Sequence, residues 1–259
     1  MKAFGLSFRP SGNQLLICEN SGNIQYSDGE PEETKLFRTI NSVNDLSSTS
    51  WELQGLINSW AHRYHLSIHR GAIVRCLPLA ANRRVLELGA GCGAVTRALG
   101  EKFAAVDAVE GSAVRAQICA SRCRDLSNVR IFAADINDIL PQPEYDVVFL
   151  VGVLEWSKNY LRFDDPFQFC LQVASRALKQ GGVLVIAIEN QVGLKYLLGI
   201  GEDHSGIQFE GLQGYPTFRQ AETFSKAKLL ELLSRVGLNA TRFLYPFPDY
   251  KLARVILTD

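Results

Sequence analysis

The sequence has no apolar run long enough to cross a bilayer and no excess of either charge. Its longest apolar runs, Val147 to Leu154 and Val183 to Ile188, are far shorter than the roughly 20 residues that a spanning helix needs. Lysine plus arginine and aspartate plus glutamate number 27 each, so the chain lacks the basic surface that a phosphate backbone attracts. These two absences argue against a membrane span and against nucleic acid as a partner.

The sequence also has no Cys-x-x-Cys pair and no secretory signal. The amino terminus is interrupted by Arg9 and Pro10 before an apolar signal segment could form. We therefore predict a cytoplasmic protein with free, structural thiols and no metal site. The six cysteines are scattered along the chain: Cys18, Cys76, Cys92, Cys119, Cys123 and Cys170.

What the sequence does contain is a regular alternation of short apolar runs and amphipathic segments after Arg84. This order is typical of a parallel sheet covered by helices on both faces. We predict strands at residues 84–88, 104–110, 129–134, 146–151 and 183–189. We predict helices at residues 94–102, 112–125, 166–179 and 225–236, with Gly181-Gly182 and Gly237 as the glycine stops of the last two.

The two ends of the chain complete the predicted fold. Leu238 to Tyr245 and Leu252 to Leu257 indicate a carboxyl-terminal antiparallel hairpin, so we expect a Rossmann-like, doubly wound α/β fold with a mostly parallel seven-stranded sheet. Residues 1–50 are predicted to form a small accessory segment with a hairpin of Gln14 to Cys18 and Asn23 to Tyr26. Residues 51–259 form the predicted main domain, which opens with a largely helical stretch from Trp51 to Leu77.

The first predicted strand of the main domain runs directly into a glycine-rich turn, Gly89-Ala-Gly-Cys-Gly93, followed by a helix. Such a turn presents unpaired N–H groups and the positive end of the helix dipole to a ligand. The spacing Gly89-x-Gly91-x-x-Ala94 fits the dinucleotide fingerprint as well, so the turn alone does not separate NAD from S-adenosylmethionine (SAM).

Three acidic residues favour SAM over NAD. Glu110 ends the second strand 21 positions after Gly89, the distance expected for an acid that binds ribose hydroxyls. Asp135, followed by Ile136, ends the third strand and suits an adenine amino group and ring. With Glu87, these carboxylates complement the sulfonium and ammonium of SAM and would repel a pyrophosphate.

At this point the sequence resembles the class I SAM-dependent methyltransferases, through Val85 to Gly93, Val106 to Ser112, Ala133 to Ile136 and Tyr145 to Trp156. A narrower resemblance, to methyltransferase domains of bacterial surface-polysaccharide and lipopolysaccharide biosynthesis that are often joined to glycosyltransferases, rests on five further segments. These are Tyr64-His-Leu-Ser67, Leu150 to Trp156, Ile188-Glu-Asn190, Glu202-Asp-His-Ser-Gly206 and Tyr245 to Lys251.

The resemblance implies a role for each matching position. The glycine turn would admit the methionine part of SAM, Glu110 the ribose, Asp135 and Ile136 the adenine, and Val151-Gly152 the amino-acid end of the cofactor. The full set of predicted cofactor residues is His65, Glu87, Gly89, Ala90, Gly91, Gly93, Glu110, Gly111, Asp135, Ile136, Val151 and Gly152.

Two residues are candidates for the base that deprotonates a hydroxyl acceptor. His204 lies in a glycine-rich insertion after the fifth strand, and Glu155 follows the fourth strand. Each position has an equally good alternative interpretation. His204 would then be a loop histidine that binds backbone, and Glu155 would be a structural or substrate-binding acid. His62, His65 and His69 have helical spacing. We expect His65 to be a lid residue that contacts the cofactor, and not a metal ligand.

The acceptor is open at this stage. We expect a hydroxyl of a sugar or related small molecule, with a glycosyltransferase in the same or another chain as a partner. The alternatives are an RNA or protein methyltransferase, and a SAM-binding module that regulates a glycosyltransferase.

Overall fold

The computed structural model describes residues 1–19, 27 and 29–258. Its strands are β1 Lys2–Ala3, β2 Leu6–Pro10, β3 Leu15–Cys18, β4 Arg84–Leu88, β5 Ala105–Glu110, β6 Val129–Ala133, β7 Tyr145–Val151, β8 Leu178–Ala187, β9 Leu244–Phe247 and β10 Val255–Thr258. Its helices are α1 Glu30–Ser42, α2 Trp51–Gly55, α3 Trp60–Leu66, α4 Ala72–Arg75, α5 Ala94–Lys102, α6 Ala113–Arg122, α7 Ser157–Tyr160, α8 Pro166–Ala177, α9 Leu194–Leu197 and α10 Lys226–Ser234. A 3₁₀ turn spans Leu154–Trp156.

The main sheet confirms the predicted mostly parallel α/β fold. Its strand order is β1-β2-β3-β6-β5-β4-β7-β8, and every pair from β3 to β8 is parallel. The predicted number of seven strands is wrong, because the sheet has eight. The carboxyl-terminal hairpin is present, but β9 and β10 form a two-stranded sheet of their own, and the amino-terminal residues supply the additional strands.

The core is split by the sheet into two apolar layers, as the alternation of strand side chains requires. In β7, Val148 and Leu150 face the layer that contains α8 and α10, whereas Val147 and Phe149 face the layer that contains α5 and α6. A third cluster, which includes Leu36, Ile40 and Ile118, joins α1 to α6. Helices therefore cover both faces, as in a doubly wound fold.

Residues of the predicted accessory segment belong to the main sheet. β3 pairs in parallel with β6, and β2 pairs antiparallel with β3. The rings of Phe4 and Phe8 contact Phe132 edge to face, with centroids 5.1 and 5.0 Å apart. The predicted strand Asn23 to Tyr26 lies outside the described residues, and the division at residue 50 stays a prediction.

The stretch from Trp51 to Leu77 is largely helical, as predicted, in three short helices, α2, α3 and α4. The predicted helical alignment of three histidines is wrong, because α3 ends at Leu66 before it reaches His69. Gly181-Gly182 does not stop a helix, because α8 ends at Ala177 and β8 begins at Leu178, which pairs with Tyr145 of β7. Gly237, with φ of 79°, does follow the end of α10, as expected.

Candidate active site

A cleft lies over the carboxyl ends of β4, β5 and β7, where the chain connections leave the sheet in opposite directions. Ligands of doubly wound folds bind at this switch point. The cleft encloses about 980 Å³ of space, including its open side, which suits a ligand of nucleoside size. The predicted cofactor residues that line it are His65, Glu87, Gly89, Ala90, Gly91, Glu110, Gly111, Ile136, Val151 and Gly152.

The glycine turn forms the floor of the cleft and allows two close approaches. Gly89 has φ of 81°, and a Cβ there would lie 2.4 Å from Val153 Cγ2. Gly93 is not itself in the cleft lining. With φ of 86°, it would place a Cβ 2.9 Å from the Cα of Cys119 on α6. Its role in the structure is thus to bring α5 against α6 and so to fix the helix that follows the turn.

Glu110 is buried at the end of β5 and ties the turn to the next helix. Its Oε2 accepts a 2.7 Å hydrogen bond from the Gly91 N–H, and its Oε1 accepts one of 2.9 Å from the Ser112 N–H. The carboxylate is therefore held at the cleft in a fixed orientation. Its predicted contact with ribose hydroxyls stays a prediction.

Only one of the two residues predicted to contact adenine lines the cleft. Ile136 lines the cleft, but Asp135 is not among the lining residues. Asp135 Oδ1 accepts hydrogen bonds from both the backbone and the side-chain N–H of Asn137, at 2.9 and 2.7 Å. Asp135 Oδ2 lies 3.6 Å from the Arg162 guanidinium. A role for Asp135 in adenine binding stays a prediction, and the structure shows that it also orders the loop after β6.

Glu87 is a fully buried acid on the cleft wall. Burial, reinforced by the nearby charge of Glu110, raises its pKa to about 8. Thr96 Oγ1 donates a 2.6 Å hydrogen bond to Glu87 Oε2 and partly offsets this rise. A ligand that carries positive charge next to an adenosine, which is the charge pattern of SAM, would complement Glu110 and favour the ionised form of Glu87.

The structure adds cleft residues to which the sequence reasoning gave no role. Arg115 of α6 lies with its Nη2 3.3 Å from His65 Nε2 and its Nε 3.7 Å from a Glu33 oxygen, so His65 is held at the cleft by a cation. Tyr64, Arg70 and Trp156 also line the cleft. Tyr64 and Trp156 lie within the quoted motifs, whereas nothing in the local sequence of Arg70 or Arg115 indicates a cleft.

Both candidate bases lie in a polar cluster that contacts the cleft wall. His204 and Glu155 do not line the cleft themselves. The His204 ring packs edge to face on Trp156, with centroids 5.1 Å apart, and Glu155 Oε1 would lie 3.6 Å from a Cβ placed on Gly152. His204 Nε2 is 3.9 Å from Glu155 Oε1 and 3.9 Å from Glu189 Oε2.

The cluster fixes the orientation of His204. Glu202 Oε1 lies 2.7 Å from His204 Nδ1, and Glu202 Oε2 accepts hydrogen bonds from the backbone N–H groups of His204 and Ser205. Burial by itself would lower the pKa of His204, but the hydrogen bond to Glu202 and the charges of Glu189 and Glu155 raise it above its usual value. For Glu155, burial and the charge of Glu189 raise the pKa to about 8.

Glu155, Glu189 and His204 bring two carboxylate oxygens and an imidazole nitrogen within 4.8 Å of one another. Lys251 makes an ion pair with Glu189, so a resident cation already neutralises part of this charge. The three histidines with helical spacing do not come together as a ligand set, since His69 lies beyond the end of α3 and His62 Nδ1 contacts the Leu56 carbonyl at 3.3 Å.

Comparison with known proteins finds a methyltransferase domain in this chain. Residues 86–184 match the family model of a methyltransferase domain. A demethylmenaquinone methyltransferase of Tropheryma whipplei (strain Twist) is 33% identical over 119 residues, which are 45% of this chain and 46% of that protein. A pavine N-methyltransferase of Thalictrum flavum subsp. glaucum is 29% identical over 106 residues, which are 39% of this chain and 28% of that protein. The chain thus spans less than half of the length of these curated relatives.

A solved structure shows the same fold. Phosphoethanolamine N-methyltransferase 2 of Haemonchus contortus, in complex with S-adenosyl-L-methionine, superposes with a TM-score of 0.53 and 19% identity over 83% of this chain and 43% of that chain. The match over residues 86–184 shows a methyltransferase domain in this part of the chain, and the superposition shows its Rossmann-like α/β fold. The acidic, glycine-lined cleft fits SAM. Within the described residues, no helix is both long enough and apolar enough to span a membrane.

Proposed function

We propose that this chain transfers a methyl group from SAM to a hydroxyl group of a sugar or a related small acceptor in polysaccharide biosynthesis. One observation carries the choice of acceptor. The segments that resemble polysaccharide-associated methyltransferases are far apart in the sequence but supply neighbouring side chains: Tyr64, Glu155, Glu189, His204, Tyr250 and Lys251. Such a convergence supports an acceptor-side role for these segments.

The cleft supplies orientation for the transfer. SAM brings an electrophilic methyl group on a good leaving group, so positioning the two reactants supplies most of the acceleration. Glu110 and the glycine turn hold the adenosine side, and Val151-Gly152 lies at the amino-acid end, next to the polar cluster. An acceptor hydroxyl presented between Gly152 and Trp156 would be within reach of that cluster.

His204 is the proposed base, with Glu155 as the second candidate. Because Glu202 binds Nδ1, the neutral imidazole carries its hydrogen there and leaves the Nε2 lone pair free to take the hydroxyl proton. Glu155 and Glu189 face Nε2 and stabilise the imidazolium that forms.

Calorimetry with SAM and NAD tests the cofactor. We expect SAM to bind and NAD to give no heat, because the Glu110 carboxylate at the cleft would repel a pyrophosphate. Binding of NAD without binding of SAM would contradict the proposal at its first step.

A transfer assay with labelled SAM tests the acceptor and the base. The acceptors tested are nucleotide-sugars and glycans, and RNA and protein are tested in parallel as the alternative acceptors. We expect label in a sugar hydroxyl, and we expect His204→Ala to lower turnover by about 10²- to 10⁴-fold while the affinity for SAM is unchanged. His69→Ala is the matched control. Wild-type turnover in His204→Ala would remove His204 from the mechanism, and label in RNA or protein would overturn the sugar acceptor.

The proposal includes a glycosyltransferase, in the same or another chain, as a partner. The demethylmenaquinone, pavine and phosphoethanolamine enzymes show by their names that methyltransferases with related sequences or folds act on varied small molecules. SAM binding without transfer in any arm, together with stimulation of a glycosyltransferase, would favour a regulatory module instead.

A further inference from the structure

The insertion that follows β8, residues 192–209, carries an exposed apolar surface. Seven of its large apolar side chains are exposed, and Leu194 and Leu198 are 71% and 74% exposed. Contiguous exposed apolar patches on a protein surface mark sites that bind a ligand or a partner. We call these seven side chains the outer surface of the insertion: Val192, Leu194, Leu197, Leu198, Ile200, Ile207 and Phe209.

The outer surface is continuous, because the insertion folds back on itself. The Glu202 N–H donates a 3.0 Å hydrogen bond to the Ile207 carbonyl, which joins the two arms of the insertion. A Cβ placed on Gly199 in the first arm would lie 3.7 Å from Phe209 Cζ in the second arm. The apolar side chains of the two arms therefore lie side by side.

The inner side of the same insertion is polar and belongs to the site of the proposed base. Tyr196 and Glu202 are buried, and Glu202 orients His204, whose Nε2 lies 3.9 Å from Glu155 Oε1. Ile207 follows His204 by three residues, so their Cα atoms are at most about 11 Å apart. A ligand that places a polar end at His204 can therefore lay an apolar chain along the outer surface.

The charged and titratable residues of the insertion pair with other side chains and leave the outer surface uncharged. Lys195 and Asp203 form an ion pair at 2.6 Å, and Asp203 also lies 3.2 Å from Lys251. Glu202 pairs with His204 at 2.7 Å. Residues 192–209, all of which the structure describes, contain no other charged or titratable group apart from the buried Tyr196. The surface thus complements an uncharged apolar ligand and offers nothing to a charged one.

The composition of the outer surface favours a hydrocarbon chain over a protein partner. Protein interfaces are enriched in aromatic residues, methionine and arginine, and tryptophan, tyrosine and arginine supply most of their binding energy. The outer surface has one aromatic residue, Phe209, and no methionine or arginine. Its other members are leucine, isoleucine and valine, whose side chains match a ligand that makes no hydrogen bonds.

We propose that the methyl acceptor carries an apolar chain, and that the outer surface of the insertion binds this chain while the polar end of the acceptor reaches His204. The inference rests on the proposed transfer to a small acceptor and adds a chemical class to it: a sugar or related polar group joined to a hydrocarbon chain. A membrane surface and a second copy of this chain are the competing occupants, and the experiment separates them.

The experiment compares the affinities of methyl β-glucoside and octyl β-glucoside by calorimetry, with the octyl compound kept below its critical micelle concentration. The two ligands share a sugar and differ only in the length of the chain. We expect wild-type protein to bind the octyl compound at least about 50-fold more tightly, which is the gain from burying about three methylene groups. Equal affinities would overturn the proposal without any variant.

Leu194→Gln combined with Leu198→Gln should remove most of this difference. Both side chains are exposed, so the fold should be retained, and an unchanged midpoint of urea unfolding checks this. We expect the affinity for octyl β-glucoside to fall at least about tenfold and that for methyl β-glucoside to stay within about twofold. Leu140→Gln combined with Val255→Gln, at exposed apolar residues outside the insertion, is the matched control. The same affinity for the octyl compound in both double variants would overturn the proposal.

Two further measurements on wild-type protein and the Leu194→Gln, Leu198→Gln variant test the competing occupants. If only wild-type protein sediments with phosphatidylcholine vesicles, the outer surface is a membrane contact. If only wild-type protein dimerises in analytical ultracentrifugation, the surface joins two copies of the chain. Either result would overturn the proposal. Chain-length-dependent binding without transfer to any sugar would contradict the proposed function but not the binding of an apolar chain, and transfer to a sugar with equal affinities for the two glucosides would do the reverse.

Discussion

At the scale of a single residue, the burial of Glu87 makes the stability of the fold depend on pH. Its pKa is about 8 in the native state, against 4.5 for an ordinary glutamate. The native state therefore keeps a proton that the unfolded chain releases once the pH rises above about 4.5. This makes the contribution of Glu87 to stability largest at low pH, and it is lost progressively as the pH rises to about 8.

We predict that the stability of the Glu87→Gln variant depends less on pH than that of wild-type protein. The free energy of unfolding of the variant, measured with urea between pH 5 and pH 8, should fall less with pH than that of wild-type protein, by up to about 1.4 kcal/mol per pH unit. Glu30→Gln, an exposed acid at the start of α1, is the control. The same slope in Glu87→Gln and wild-type protein would show that Glu87 is ionised in the native state.

Glu202 acts on the proposed base rather than on the substrate. Its carboxylate accepts from His204 Nδ1 and raises the pKa of the imidazole, while Glu155 and Glu189 face the other nitrogen. His204 must be neutral to take a proton, so activity should fall on the acid side of this pKa.

We predict that Glu202→Gln moves the acid limb of the rate profile to lower pH. It should also lower turnover by about tenfold or more, because the amide no longer stabilises the imidazolium. The pH dependence of kcat in wild-type protein, Glu202→Gln and, as a control, the exposed Glu30→Gln measures this. If the acid limb stays at the same pH in Glu202→Gln, Glu202 has no role in the proton transfer. A loss of stability alone would not move the limb.

At the scale of elements, the spacing of glycines and apolar residues predicts the centre of the molecule well. The pattern predicts β4 and α5 at their observed bounds, because each is defined by its own sequence and its own ends. It misplaces the start of β8, since Leu178 pairs with Tyr145 across an irregularity in β7, and the partner strand decides that boundary.

The same reasoning explains which site residues the sequence predicts. The cofactor residues at the ends of β4 and β5 follow from local spacing. Arg70 does not, because the Lys251 carbonyl that helps to hold it lies 181 positions away. Contacts of this separation depend on the assembled fold, and a single sequence carries no signal for them.

We predict that Gly93→Ala weakens the contact between α5 and α6 and with it the cofactor cleft. The positive φ costs about 1–2 kcal/mol in any non-glycine residue, and the added Cβ would also lie 2.9 Å from the Cys119 backbone. Gly181→Ala is a matched control, because Gly181 has φ of 76° with nothing within 4 Å of the added atom. Urea unfolding should show the larger loss in Gly93→Ala. Equal losses would mean that the helices adjust without cost.

At the scale of the whole molecule, the structure makes the first strands a continuation of the main sheet. The edge of that sheet is formed by β1 to β3, and Phe8, 2% exposed, packs on Phe132 of β6 within the same apolar layer as Leu86 and Val148. A segment packed in this way should fold together with the domain that binds the cofactor. If residues 1–50 are a separate accessory segment, as the predicted division at residue 50 has it, they would instead unfold independently of the main domain.

We predict that Phe8→Ala destabilises the entire chain by about 3–5 kcal/mol in a single unfolding transition. Fluorescence and circular dichroism during urea unfolding should give the same midpoint, and S-adenosylhomocysteine should raise it, because ligand binding stabilises every element that unfolds with the cleft. Phe247→Ala, at a phenylalanine that is 51% exposed, should cost far less. Two separate transitions, or a cofactor-dependent midpoint that Phe8→Ala does not change, would restore residues 1–50 as an independent accessory segment. A single shifted transition would mean that the methyltransferase core includes the β1–β3 strands.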